Sequence, residues 1–460
     1  MKKTALFLAL IIALSVCGCS STPQKTELTY TESPAVGWEY DDTLDQNNTH
    51  PVSFDAITLT LHNADTMTYG ITWNTLAKVK DQTVQVCEGD TFNPNTCTEF
   101  EAAVRIEKRT MHSSHSAQSF LYISKAVVAG LEPDKTYSYR CYDKNTSLSS
   151  DVFTFTTRDS SQKTFRFAYV SDSQTDGEDL SSGNYYSDTL TGIISNGTPD
   201  FILHGGDIAE YSAYESYWHN MINRNKHSFA EIPLMPTSGN HEASYQSAPF
   251  SIFNHFNLRH PEQNTYTGIY YSFNYGNAKF IVLDTNNTSG LGIAKEQYDW
   301  LISELENNSQ KWTIVSMHAP MYSVGPWSSD TSGLILREQL KSVFAQYGVD
   351  LVLQGHDHTY SKTYPINAKG EPNTKLSYKY IDGTDYCKKP NGVIYIMTGP
   401  AGNQVRNYVD ANVTEEFEKY GNSHPSSWAE IEIADKLLTV KHYYYNNGDP
   451  EIWESYGIKK

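Results

Sequence analysis

A chain of 460 residues is too long for one ordinary hydrophobic core and long enough for two or three domains. Its 53 acidic against 35 basic residues give a net charge of −18, a surface that repels polyanions and excludes bulk nucleic-acid binding. Any phosphate it handles must be drawn by local positive charge.

Residues 1–19, MKKTALFLALIIALSVCGC, set two lysines before an apolar stretch too short to span a bilayer and then small residues. This reads as a cleaved secretory signal peptide, so the expected destination is outside the cytoplasm. The ending Val16-Cys17-Gly18-Cys19 resembles a bacterial lipoprotein signal. That resemblance implies lipidation of Cys19 and a lipid anchor on a bacterial membrane, at the outer membrane, periplasm or cell surface. Residues 20–50 are polar and are expected to form a flexible tether. No later segment is apolar enough to span a membrane as a helix.

From residue 51 to 158 the pattern is all-β, with alternating runs such as AITLTLH, YGITWNT, TYSYRCYD and DVFTFTT between turn signals. A β-sandwich accounts for it. YGITWNT and LEPDKTYSYRCY resemble the fibronectin type III-like module, an immunoglobulin-like sandwich, which places Trp73 and Tyr137 in its core. Cys87 and Cys97 flank the turn-rich GDTFNPNT and are the expected disulfide in an exported chain.

Residues 165–460 change character. Short apolar strands (FRFAYVSD, DFILHGGD, IPLMPTSGN, AKFIVLDT, KWTIVSMH, VDLVLQGH, GVIYIMTG) now alternate with helical patterns such as IAKEQYDWLISELENN and LILREQLKSVFAQYG. The expected fold is α/β, with two central mixed sheets flanked by helices and a closing hairpin near AEIEIA and LLTVKHYYYN. No internal repeat or low-complexity tract interrupts it.

Five of these strands end in groups that suit a hard or borderline metal: Asp172 with Gln174, Asp207, Asn240 with His241, His318, and His356 with His358. In open α/β sheets ligands gather at the carboxyl ends of strands, so residues far apart in sequence can converge there. Carboxylates mixed with imidazoles point to Zn, Fe or Mn, and the absence of suitably spaced cysteines argues against a structural zinc. The Asp of a Gly-Asp turn can share its two oxygens between two cations, which makes Asp207 the candidate bridge.

The series D-x-Q, G-D, G-N-H-E, H-x-P and G-H-x-H, in this order, resembles the calcineurin-like metallophosphoesterases. The leading sandwich, the G-N-H-E form and YSFNYGNAKFIVLDT resemble the purple acid phosphatase branch. The resemblance implies two divalent cations, one held by Asp172, Asp207 and His358 and the other by Asp207, Asn240, His318 and His356. It implies that His241 faces the phosphate and that Glu242 either orients that imidazole or caps a helix. His356 and His358 then serve one ion each, and Asp357 points away. The implied activity is hydrolysis of small phosphate monoesters; a phosphodiesterase or nucleotide hydrolase is the alternative on the same core, and a non-catalytic surface binding protein a further one.

Three departures from the purple branch bear on this. Its iron-binding Tyr lies three residues after the bridging Asp, where this chain has Glu210 and only then Tyr211. A colourless centre with divalent ions is the consequence. Gln174 stands where other branches carry a His, and either donates its amide oxygen to an ion or hydrogen-bonds a water there. The substrate-side histidines after H-x-P are missing from MYSVGPWSSDTSG, so leaving-group contacts fall to Tyr322, Trp327 or Asp330.

Overall fold

A computed structural model describes residues 43–460, apart from 65–66, 115–117, 160, 175–184, 244–250, 260–262, 266, 287–291 and 447. The signal segment, Cys19 and most of the expected tether lie outside the described residues. The end of that tether is not loose: Lys78 Nζ donates to the Leu44 carbonyl at 3.1 Å, Asn48 Nδ2 to the Leu76 carbonyl at 2.7 Å, and the Tyr122 hydroxyl to Asp45 at 3.2 Å. Three long-range hydrogen bonds fix residues 44–48 to the neighbouring β structure, which corrects the expected boundary of flexibility at residue 50.

Seven of the first eight strands share one hydrogen-bonded path, and the eighth, Phe153–Thr156, branches from it on Thr136–Asp143. Its corner is the strand Thr98–Thr110, whose first residues pair with Gln82–Glu88 and whose remainder pairs with Gln118–Val128. One long strand thus serves both layers of the sandwich. Trp73 and Tyr137 are buried as expected, with Trp73 Nε1 donating to Gln82 at 3.2 Å. Cys87 and Cys97 are bonded across their turn, while Cys141 and Cys387 are free and buried.

Beyond the sandwich the chain forms two mixed sheets. In the first, Thr164–Val170, Phe201–His204 and Leu234–Pro236 run parallel, and the antiparallel strands Ser427–Ala434, Leu437–Asn446 and Asp449–Lys459 extend the other edge. In the second, Ala278–Leu283, Trp312–Met317, Leu351–Gln354 and Ile394–Thr398 run parallel. These central strands are almost wholly buried, which explains their unbroken apolar runs. Each fully buried aliphatic such as Ile314 or Leu353 contributes roughly 1.5–3 kcal/mol relative to exposure. Helices Tyr185–Ser195, Glu215–Arg224, Lys295–Glu306 and Thr331–Gln346 accompany the sheets. No helix among the described residues is long and apolar enough to cross a membrane.

Buried polar side chains tie the sandwich to the two-sheet half of the molecule. Arg109 Nε lies 3.3 Å from Glu215 and its Nη2 donates to the Ser212 carbonyl at 3.0 Å. Thr60 Oγ1 and Lys125 Nζ donate to the carbonyls of Asn257 and Phe256 at 2.6 and 2.8 Å.

Candidate metal centre

Five of the parallel strands deliver donor side chains from their carboxyl ends to one place. Asp172 follows Val170, Asp207 follows His204, Asn240 follows Pro236, His318 follows Met317, and His356 and His358 follow Gln354. The turns needed are sharp: Asp172, Asp207, His356 and His358 all adopt the left-handed region, with φ of 55°, 54°, 74° and 52°. Non-glycine residues there carry strain of order 1–3 kcal/mol each, and such strain clusters at functional sites. Glycines give the room. Gly206 has φ 103° and a Cβ on it would sit 2.6 Å from His318 Nδ1, while one on Gly239 would sit 2.1 Å from Asp207 Oδ1.

The donor atoms fall into two groups that share one residue. Ligand atoms of Asp207, His318 and His356 lie within 4.8 Å of one another, and so do those of Asp172, Asp207 and His358. Asn240 Oδ1 joins the first group, 3.0 Å from His318 Nε2 and 2.7 Å from His356 Nδ1. Asp207 Oδ2 is 3.1 Å from His318 Nε2, and Asp172 Oδ1 is 3.3 Å from His358 Nε2. Backbone contacts orient the rings: His318 Nδ1 donates to the Gly205 carbonyl at 2.9 Å, and His358 Nδ1 donates to the Gln404 carbonyl. Each ring therefore turns its Nε2 inward as an acceptor.

The electrostatics match that layout. Burial pushes the Asp207 pKa up, but the charges of His318, His241 and His356 win and hold it below the carboxylate range. For His318 burial pulls down while Asp207 and Asp172 pull up, carrying it to about 9. His356 is pushed down to about 4 by burial and by its cationic neighbour His318. Protons thus answer the carboxylates here, and a cation bound by the same atoms would take over that task.

Gln174 is fully buried, its Nε2 lies 3.4 Å from His358 Nε2, and its Oε1 has no hydrogen-bond partner among the described residues. An orphaned amide oxygen beside an inward-facing imidazole is what a missing positive partner leaves behind. The donor set of carboxylate, imidazole and amide oxygen therefore fits a pair of divalent cations.

His241 stands at the rim, one-quarter exposed, with Nδ1 donating to the Glu210 carbonyl at 2.7 Å and Nε2 3.8 Å from Asp207. Ser212 Oγ holds the His241 carbonyl at 2.7 Å. Glu242 does not orient this ring. Its carboxylate accepts from the backbone N–H groups of Asp207, Ile208 and Gly239 at 2.9 Å each, and of Ala209 at 3.2 Å. It locks the Gly-Asp turn, and burial with the nearby Asp207 charge pushes its pKa up to about 7.

Asp357 is buried and turned away from the donors, accepting from Ser323 Oγ and from Trp327 N at 3.1 Å. Tyr211 packs edge-on against Tyr217 at 5.4 Å between centroids. Of the three residues expected at the leaving group, Trp327 borders the donors: it is half exposed, its ring 6.2 Å from that of His356. The other two are corrections. Asp330 caps the helix Thr331–Gln346, and Tyr322 is buried against Tyr395 beneath Arg337.

Gln404 joins the site as a new member, and Glu210 has contacts beyond its place in the sequence pattern. Gln404 Nε2 donates to Glu210 Oε2 at 2.8 Å, linking the carbonyl that holds His358 to the residue that holds His241. The signal for Gln404 was present, because GPAGNQ follows the buried strand Ile394–Thr398 as the other donor segments follow theirs.

Two mixed sheets thus bring the ends of their parallel strands to an acidic and imidazole cluster, in a domain preceded by a β-sandwich. The comparisons agree: the calcineurin-like phosphoesterase family matches residues 165–360, and the purple acid phosphatase N-terminal domain matches residues 54–157. The chain carries both of these domains. It is 28% identical to acid phosphatase type 7 of Danio rerio over 61% of this chain and 65% of that one. To purple acid phosphatase 23 of Arabidopsis thaliana it is 26% identical over 61% and 62%. The match thus spans less than two thirds of these relatives' length. The structure of purple acid phosphatase PPD1 from yellow lupin seeds superposes with a TM-score of 0.72 at 19% identity, covering 88% of this chain and 74% of that one, so the fold is shared.

Proposed function

We propose that the chain is an exported, metal-dependent phosphatase that hydrolyses small phosphate monoesters at a dinuclear centre. The observation that carries this is the pair of donor groups sharing Asp207. Asp172, Asp207 and His358 would hold one cation, and Asp207, Asn240, His318 and His356 the other. When bound, two divalent ions polarise phosphoryl oxygens and lower the pKa of water for in-line attack.

The chain's own groups do the rest. Glu242 fixes the backbone of the bridging turn, so the shared carboxylate keeps its orientation through turnover. His241 offers Nε2 to the phosphate, and its Nδ1 bond to Glu210 sets the tautomer in which Nε2 can receive or return a proton as the ester oxygen leaves. Trp327 supplies an apolar wall at the exposed side. With Glu210 at the position of the colour-giving tyrosine and Tyr211 packed on Tyr217, the centre is colourless.

Turnover of p-nitrophenyl phosphate, none of its bis-ester, and near two equivalents of metal in protein purified without chelator are the expected results. Preference for the bis-ester would move the reading to a phosphodiesterase. A visible band in the purple range would overturn the assignment of Glu210. Export and anchoring rest on residues 1–19, and labelled fatty acid incorporated by the wild type but not by Cys19→Ser tests them.

A further inference from the structure

At the far strands of the first sheet, beside the amino end of the second-sheet strand Leu351–Gln354, lies a cavity of about 450 Å³ whose charged lining is entirely basic: Lys375, Lys388, Lys389, Lys459 and Lys460. In a chain with 53 acidic and 35 basic side chains, five basic out of five is about a one-in-a-hundred draw, so the cluster runs against the field of the whole protein. Asp350 fixes its position: it precedes the strand Leu351–Gln354, pairs with Lys460 Nζ at 2.7 Å, and is six residues before His356. The four-residue strand and the short turn after it put Asp350 on the order of 15 Å from the donors of the metal centre.

The backbone forces the lysines together. Strands Thr384–Lys388 and Asp449–Lys459 pair in parallel with Lys388 opposite Lys459, and Lys389 N donates to the Lys459 carbonyl at 3.0 Å. Like charges facing each other across a sheet are destabilising, and an acidic neighbour usually relieves them. Among the described residues Lys375, Lys388, Lys389 and Lys459 have no carboxylate within ion-pair distance. Only Lys460 is paired. Lys389 and Asn391 also hold left-handed φ of 46° and 51°, so the loop bearing the charges is itself strained. Repulsion and strain kept at one concave spot are the marks of a site completed by an anion.

We propose that this cavity binds a compact anion carrying two or more phosphoryl groups, at a site separate from the metal centre. A single phosphate would engage two or three of the ammonium groups, and clustered phosphates engage the four lysines that Asp350 leaves unpaired. The shared chemistry has two sources, a soluble polyphosphorylated molecule or the headgroups of an anionic lipid.

Lysine acetylation footprinting read by mass spectrometry tests it with two probes: methylenediphosphonate, whose P–C–P link is not hydrolysed, and vesicles containing phosphatidylglycerol. The expected result is severalfold protection of Lys388, Lys389 and Lys459, with none at the exposed sandwich residue Lys108, and the same protection in His318→Ala protein. Protection by the bisphosphonate assigns the soluble source, and protection by vesicles alone assigns the lipid source. Lys375→Glu with Lys389→Glu is expected to weaken binding at least tenfold while leaving p-nitrophenyl phosphate turnover unchanged. Equal labelling with and without both probes, or unaltered affinity in the double variant, overturns the proposal.

Discussion

Two buried polar clusters in this molecule obey opposite rules. Where the sandwich meets the two-sheet half, Arg109, Lys125, Glu215 and His255 are as deeply buried as the metal donors, yet each finds its complement. Glu215 takes Arg109 at 3.3 Å and His255 Nε2 at 2.6 Å, and Lys125 takes the carbonyls of Phe253 and Phe256. At the strand ends, by contrast, two imidazoles crowd one Asn240 oxygen, Gln174 Nε2 faces His358 Nε2, and Gln174 Oε1 has no hydrogen-bond partner among the described residues. Equal burial with satisfied partners holds domains together; equal burial with mismatched partners marks a place for a ligand.

The largest effect that separates the two clusters is expected at the shared carboxylate. Asp207→Ala should lower kcat/KM for p-nitrophenyl phosphate at least about 10³-fold and release metal while the thermal midpoint barely falls, as metal analysis and calorimetry would show. His241→Ala should cost about 10²–10⁴-fold in kcat with metal content unchanged; loss of metal instead would move His241 into the ligand set.

The satisfied cluster should respond in the other way. Arg109→Ala leaves buried Glu215 to His255 and His219 and is expected to cost about 1–3 kcal/mol of stability in denaturant titration, with metal content retained. Burial raises the Glu215 pKa, but His255, Arg109 and His219 outweigh it and set it below the ordinary carboxylate value. Because the unfolded chain then binds the proton more tightly, this contribution is complete above about pH 4.5 and is lost as pH falls below it. Glu215→Gln should therefore flatten the acid side of the stability profile. The smallest change is expected for Gln174→Leu, about tenfold or more in metal affinity with the fold intact.

How much of this was readable in the sequence depends on the range of the forces involved. The parallel strands are buried on both faces, so their apolar runs and polar ends appear as local pattern, and Asp172, Asp207, Asn240, His318, His356 and His358 could be named from it. The same rule over-predicts when taken alone. Asp284 also ends a buried strand, yet its carboxylate is used up by Thr265, Thr267 and the Asn286 N–H at 2.6, 2.8 and 3.0 Å. What stayed hidden depends on contacts between distant segments: Glu242 reaching back to four amides, Gln404 bridging to Glu210, and Tyr322 buried beneath Arg337. The hairpin Tyr378–Lys388 and the last strand Asp449–Lys459 escaped for a simpler reason, since both carry many exposed polar residues and show only weak alternation.

The left-handed turns at Asp172, Asp207, His356 and His358 bear on how this protein can be improved. Glycine would fit each of those backbones better than the residue present, and a search for thermostable variants guided by backbone compatibility would select it there first. Such a campaign would raise the melting point by erasing four of the proposed metal donors, so these four positions should be frozen before any stabilising library is made.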